Sequence, residues 1–383
     1  MILASVFSTL LAVSAGSALA DAVAPGQTAV FGPHASSSGC IGFTSYKSLG
    51  IYLPIKINGH DAMAWLWGGP SSIDKEFAES IGLHPTTDAA AAKVAPDIQV
   101  GNLTLRNASA NLDELQAQAY VPIIGRPLTF RLGEDVFNQV VVDIDFARHC
   151  VAFRDPKTVS RPVGAIEIPL IELDGERVIP LSVNGSEPAQ FELELGNMNG
   201  PLLVTPIYAD THKLLESHAT SQRLSGPFSE TVVSVDHLDF AGVDFPRAPI
   251  AVIPDTDLPP ASIAGGVGLP LLSHFRLIID YSHNRIYTIP NVGAAKAPIA
   301  RDRIGLVLAK KDSDFGVAFV APNSPAEAAG FKKGDKIALI DGKPFDAWAR
   351  LAILEFHMAD AGTSHAFTMP DGTVRRVKAV DFF

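Results

Sequence analysis

At 383 residues, the chain has room for two or three domains of ordinary size. Its 47% apolar and 19% charged residues fit packed globular units and exclude a disordered chain. The net charge of -11, with no basic face to neutralise phosphates, argues against nucleic acid as a partner.

Chain order begins with an apolar leader. Residues 1–20, MILASVFSTLLAVSAGSALA, end in Ala18-Leu19-Ala20, the small-x-small form of a cleavage site. They predict a signal peptide and a periplasmic or secreted protein. The n-region is atypical in carrying no Lys or Arg; an uncleaved anchor, which would usually have flanking charge, is the alternative. The only cysteines are Cys40 and Cys150. In an oxidising compartment they can pair; two unpaired buried thiols are the other reading. No Cys/His cluster has ligand spacing, so neither a metal nor a cofactor is expected.

A frame then occurs twice. YLPIKINGHDAMAWLWGG (Tyr52 to Gly69) aligns with VIPLSVNGSEPAQFELELG (Val178 to Gly196). Each reads as an alternating strand, an Asn-Gly hairpin turn, and a second strand running into glycine. Asn58-Gly59 and Asn184-Gly185 supply the positive φ angles that such turns need. The copies also end alike. VVVDIDFARHCVAF (Val140 to Phe153) matches FRLIIDYSHNRIYTI (Phe275 to Ile289), each an apolar strand, an Asp-aromatic pair, a polar turn and another strand. An aliphatic-Gly pair and a short helical stretch precede each closing strand, in RLGEDVF from Arg131 and in GVGLPLL from Gly266. The pattern predicts two β lobes, 45–155 and 163–290, related by a pseudo-twofold with a cleft between them.

The strand, NG turn, strand and glycine loop, closed by the aliphatic-Gly pair and IDF or IDY, resemble bacterial aspartic-protease-like proteins of retropepsin and pepsin type. That resemblance implies a mainly β fold with two pepsin-like lobes in one chain. It also implies a dyad of aspartates, one per lobe, sharing one proton about 3 Å apart and activating a water. At the matching positions this chain departs from the family. The first aspartate position is Trp67 and the following threonine position is Gly68, with Gly69 kept; in the second lobe they are Glu194, Leu195 and Gly196. Trp67 reads as a core or cleft-filling aromatic. Glu194 reads as either a solvated strand residue or a polar contact in the cleft. A lone glutamate can act as a general base, but its extra methylene displaces the oxygens from an aligned site. Asp61 lies in a hairpin turn and Asp74 beyond the loop, where a helix N-terminus favours an acid. Ser71 and Ser72 lack a G-x-S-x-G elbow and a recognisable His/Asp partner. AGGVG (Ala264 to Gly268) lacks the trailing residues of a phosphate loop.

Residues 291–302, rich in Ala, Pro and Gly, read as a linker. From 303 to 383 the order is strand, charged turn, strand, NSPAEAAG, KKGDKIALIDGKP, amphipathic helix and hairpin. SPAEAAGFKKGDKIALIDG (Ser324 to Gly342) resembles a bacterial PDZ domain, a small α+β unit. The resemblance implies peptide binding by addition of a strand to a sheet edge. It places the carboxylate-receiving loop at Ile304, Gly305 and Leu306. A helix from Trp348 to Met358 would form the other wall, with Leu351 in a pocket. Simple core packing of Ile304 and Leu306 is the alternative.

The resulting expectation is an exported, non-catalytic protein of aspartic-protease fold, a pseudoenzyme binding polypeptides or protein C-termini through cleft and PDZ domain. One alternative is an active aspartic endopeptidase whose PDZ domain captures substrate. Another is a structural or inhibitory module with no open cleft.

Overall fold

The computed structural model describes residues 26–45, 50–85, 92–196, 200–216, 218–225, 228–254, 258–311, 314–348 and 356–383. The predicted signal peptide lies outside them. Among the described residues no helix is long and apolar enough to cross a membrane.

Among the described residues up to 290, the strands form three sheets. A ten-stranded sheet holds the first copy of the repeated frame and an eight-stranded sheet holds the second. A six-stranded sheet between them runs Ile166–Pro169, Arg285–Pro290, Phe275–Asp280, Val141–Asp145, Cys150–Arg154 and Ile41–Gly42. At its middle, Val142, Asp143 and Ile144 pair antiparallel with Ile279, Ile278 and Leu277. The closing strands of the two copies therefore meet edge to edge. Bidentate hydrogen bonds from Arg276 to Asp143, 2.8 and 2.7 Å long, clamp the same junction.

The two hairpins form for the same local reason. In Ile51–Ile57 the buried positions alternate toward the turn, so one face joins the core while Pro54 and Lys56 stay exposed. Asn58 and Gly59 then take φ of 48° and 84°, and Asn184 and Gly185 take 50° and 71°. Those left-handed pairs match the twist of the flanking strands.

The topological match extends past the hairpins. In the first copy Phe130–Leu132 runs parallel to His60–Leu66 and antiparallel to Ser72–Asp74. In the second copy Gly265–Val267 runs parallel to Ala189–Leu193 and antiparallel to Leu202–Val204. Each inserted strand leads through a glycine into a one-turn helix, Glu134–Phe137 or Leu269–Leu272. Gly133 admits no side chain, since a Cβ there would lie 2.1 Å from the Gly69 carbonyl oxygen.

The first sheet begins earlier than residue 45. Thr28–Phe31 pairs with Leu103–Arg106 at its edge, and Ile41–Gly42 joins the central sheet beside Cys150–Arg154. Cys40 and Cys150 are disulfide-bonded, 110 residues apart in sequence, which resolves the alternative left open by the sequence.

The C-terminal unit has its own core, in which Ile304, Leu306, Phe315, Ile337, Ile340 and Phe367 are fully buried. Its first sheet runs Leu306–Lys311, Asp314–Val320 and Lys336–Ile337, and its second runs Leu339–Ile340, Ser364–Thr368 and Val374–Lys378. Ser324 caps the helix Pro325–Ala328 by accepting the Glu327 N–H at 3.1 Å. Gly330 follows with φ 81°, the left-handed residue that closes such a turn. Of the helix expected over Trp348–Met358, residues 349–355, including Leu351, lie outside the described residues; Phe356–Met358 form a 3-10 turn. The predicted linker is anchored. Ile299 packs into the main core and Arg301 is only 6% exposed.

Candidate functional site

The two glycine loops occupy equivalent places. The Trp67 N–H donates to the Leu132 carbonyl at 3.0 Å, and the Glu194 N–H donates to the Val267 carbonyl at 3.0 Å. Both residues thus leave their strand against the strand inserted beside it. The loops of the two copies also face each other: a Cβ built on Gly68 would sit 3.6 Å from the Leu193 carbonyl oxygen and 3.9 Å from Glu194 Oε2.

Trp67 fills this junction. One face of its ring carries the Arg131 guanidinium at 4.8 Å, and Trp65 packs edge-on with centroids 4.9 Å apart. The benzo edge lies on the second loop, where a Cβ at Gly196 would come within 2.5 Å of Trp67 Cε3. The absence of a side chain at Gly196 is what admits the indole. Beneath Trp67, Tyr52, Met63, Trp65, Tyr120 and Leu128 form a separate buried cluster.

Glu194 sits half-buried beside Glu192, and Glu176 lies close on the paired strand. Burial pushes the Glu194 carboxyl above its ordinary value, and the charge of Glu176 pushes the same way. The Glu192 carboxyl is pushed up further, first by burial and then by the charges of Glu194 and Glu176. The two carboxyls interact with each other, so they titrate together rather than independently. The Tyr281 ring lies nearby under the Arg177 guanidinium at 4.8 Å.

The other polar residues of this region serve the scaffold. The Ser71 hydroxyl accepts the Gly133 N–H at 2.8 Å, and the Ser71 N–H donates to Asp135 at 3.0 Å. Asp74 caps its helix by accepting the Phe77 N–H at 3.1 Å. Asp61 is exposed and accepts a 2.6 Å bond from Lys56 Nζ, which lowers its pKa. Sequence reasoning named Glu194 but missed Glu192 and Glu176. Glu192 was within reach, since residues two apart on a strand share a face. Glu176 required the pairing of Val178 with Glu192. Among the described residues no group of three or more His, Cys, Asp or Glu side chains is set to hold a metal ion.

A second place of interest is the start of the C-terminal sheet. Among the described residues Leu306–Lys311 pairs only with Asp314–Val320, leaving its other edge unpaired. Ile304 and Leu306 point into the core, so they form the floor of that edge, and Gly305 between them has φ 76°. A Cβ on Gly305 would meet Ser324 Cβ at 2.1 Å. Phe356 and the fully buried Phe367 lie in the same core.

Comparison with known proteins speaks to this second place. Residues 295–360 match the family model of the PDZ domain, so the chain carries a PDZ domain there, beginning within the segment expected to be a linker. A search of the curated proteins found no match.

Proposed function

We propose that this protein is an exported, non-catalytic member of the aspartic-protease-like group that binds polypeptide, using its PDZ domain and the junction of its two lobes. PDZ domains add an extended peptide to a sheet edge, and here the edge of Leu306–Lys311 stands unpaired among the described residues. The bilobal reading rests on the duplicated insertion of a strand between two others and on the sheet that joins the copies. One observation carries the non-catalytic reading: the equivalent loop positions are Trp67 and Glu194, and the indole covers the glycine of the opposite loop. A water shared by two carboxylates has no partner carboxylate at Trp67. Export is supported by the apolar leader and by the Cys40–Cys150 bond, which suits an oxidising compartment.

A second reading has its own observation. Burial and the neighbouring glutamate charges raise the Glu192 and Glu194 carboxyls, which side by side would support residual endopeptidase chemistry. One experiment separates the two. The full chain is incubated with a fluorogenic peptide library at acidic and at neutral pH, beside Glu194→Ala, and binding of the same peptides is measured. Binding without turnover supports the proposal. Turnover lost in Glu194→Ala and blocked by a statine inhibitor overturns it.

A further inference from the structure

Successive backbone N–H groups that converge on one point make an anion site, and such nests form where a residue in the left-handed region follows an ordinary one. One stands at the head of the unpaired strand edge. Gly305, with φ 76°, lets its own N–H and that of Ile304 turn to the same place. Both N–H groups donate to a single oxygen, Asp302 Oδ1, at 2.7 and 2.9 Å. A carboxylate of the chain itself thus occupies the anion position at the end of the edge where an added peptide strand would finish.

Among the described residues, the two neighbouring arginines share one carboxylate of the chain. Arg303 Nε donates to Asp381 at 2.6 Å, and Arg301 lies 3.6 Å from the same carboxylate. A peptide ending in a free carboxylate would have to displace Asp302 and then lie beside its charge, with Arg301 and Arg303, already sharing Asp381, offsetting the two carboxylates only in part. Two like charges a few ångströms apart are unfavourable even in a high-dielectric setting. A chain that continues past the site, or one whose end is uncharged, brings no such charge and still finds the N–H and C=O groups of Leu306–Lys311.

We infer that Asp302 sets the ligand class of this groove: it takes internal extended segments of polypeptide and selects against free C-terminal carboxylates. The inference rests on the peptide-binding reading of the PDZ domain and narrows it.

The test uses the full chain, Asp302→Ala and Asp302→Asn, with an array of synthetic decapeptides each made as C-terminal acid and C-terminal amide. Affinities are measured by fluorescence anisotropy, and the folded state of each variant is checked by thermal melting. The expected result is that the parent binds the amide form as well as or better than the acid. Asp302→Ala should then tighten the acid form by about tenfold or more, the scale of a charge-assisted hydrogen bond, while the amide form changes little. Asp302→Asn keeps an acceptor without the charge, so it should fall between, and it decides the matter if the alanine variant does not fold. Hydrogen exchange at Ile304 and Gly305 supplies a readout independent of any peptide: protection should drop in Asp302→Ala. Equal weakening of both peptide forms in Asp302→Ala would mean that Asp302 merely orders the loop, and would overturn the inference. A parent that prefers the acid form would overturn it too. If no decapeptide binds any of the three proteins, the peptide-binding reading itself falls, and this inference with it.

Discussion

At the scale of single residues, the meeting point of the two glycine loops is defined by what fills it. Trp67 and Gly196 form a matched pair, a large ring on one loop and no side chain on the other. Gly196→Ala should therefore force the indole off its seat and cost about 1–3 kcal/mol, the usual penalty of overpacking. Removing the ring in the background of Trp67→Ala should relieve most of that penalty, so a double-mutant cycle by urea unfolding ought to give a strong favourable coupling. Additive losses would mean that the two residues do not touch in solution. The glutamates give a second expectation. Burial raises Glu192 and Glu194 above the ordinary value of 4.5, so the folded chain holds protons that the unfolded chain releases. Their contribution to stability is complete below that ordinary value and is lost as pH rises through the raised folded values. Glu192→Gln should flatten the fall in melting temperature between acid and neutral pH and raise the melting temperature at neutral pH. An unchanged pH profile would show that the pair is solvated. Trp67 and Glu194 could be singled out in the sequence because glycine follows them at matching places in both copies. The full rise of the Glu192 and Glu194 pKa values was not legible there, since part of it comes from the charge of Glu176 across paired strands.

Among the elements, legibility followed the range of the interactions. The Asn-Gly turns, the Ser324 cap and the glycine-led helices rest on contacts a few residues apart, and a sequence displays those directly. Thr28–Phe31 escaped notice because four residues carry little periodicity and their partner is Leu103–Arg106, far along the chain. The same holds for Ile41–Gly42, a two-residue strand held beside Cys150–Arg154. The disulfide fixes that strand, and its 110-residue separation closes a long loop in the unfolded chain. The loop-closure model assigns such a bond roughly 4–5 kcal/mol, and measured losses run about 2–5. Replacing Cys40 and Cys150 together by Ser should lower the urea midpoint accordingly, and reductant should do the same to the parent but not to the variant. Equal midpoints for parent and variant without reductant would show that the bond adds nothing.

For the whole molecule, the question is how the PDZ unit is held. A chain rich in Ala, Pro and Gly over 291–302 reads as a free linker, and its composition gives no hint of anchoring. The partners that anchor it are distant: Arg301 reaches Ser234, 67 residues away, and the Phe383 carbonyl, 82 residues away at 2.6 Å. Its guanidinium also stacks over the Phe383 ring at 4.8 Å, while Phe383 packs on Val232 and Ala251 of the eight-stranded sheet. Ser221 bonds to the Pro322 carbonyl, and Asn323 Nδ2 donates to the Thr220 carbonyl at 3.3 Å, so a second point of attachment lies beside the helix Pro325–Ala328. Burial lowers the pKa of Arg301, opposed by the charge of Asp381, and the remaining hydrogen bonds compensate a cation that is largely out of water. Arg301→Ala leaves the Ser234 hydroxyl and the Phe383 carbonyl without that donor, at a cost of about 2–3 kcal/mol at the contact. Neither core contains Arg301, so each unit should still fold. Calorimetry of the variant should then resolve two transitions where the parent shows one, and proteolysis should open the chain between 291 and 303. A single transition with unchanged cleavage would mean that the two units are coupled by Ser221 and Asn323 instead.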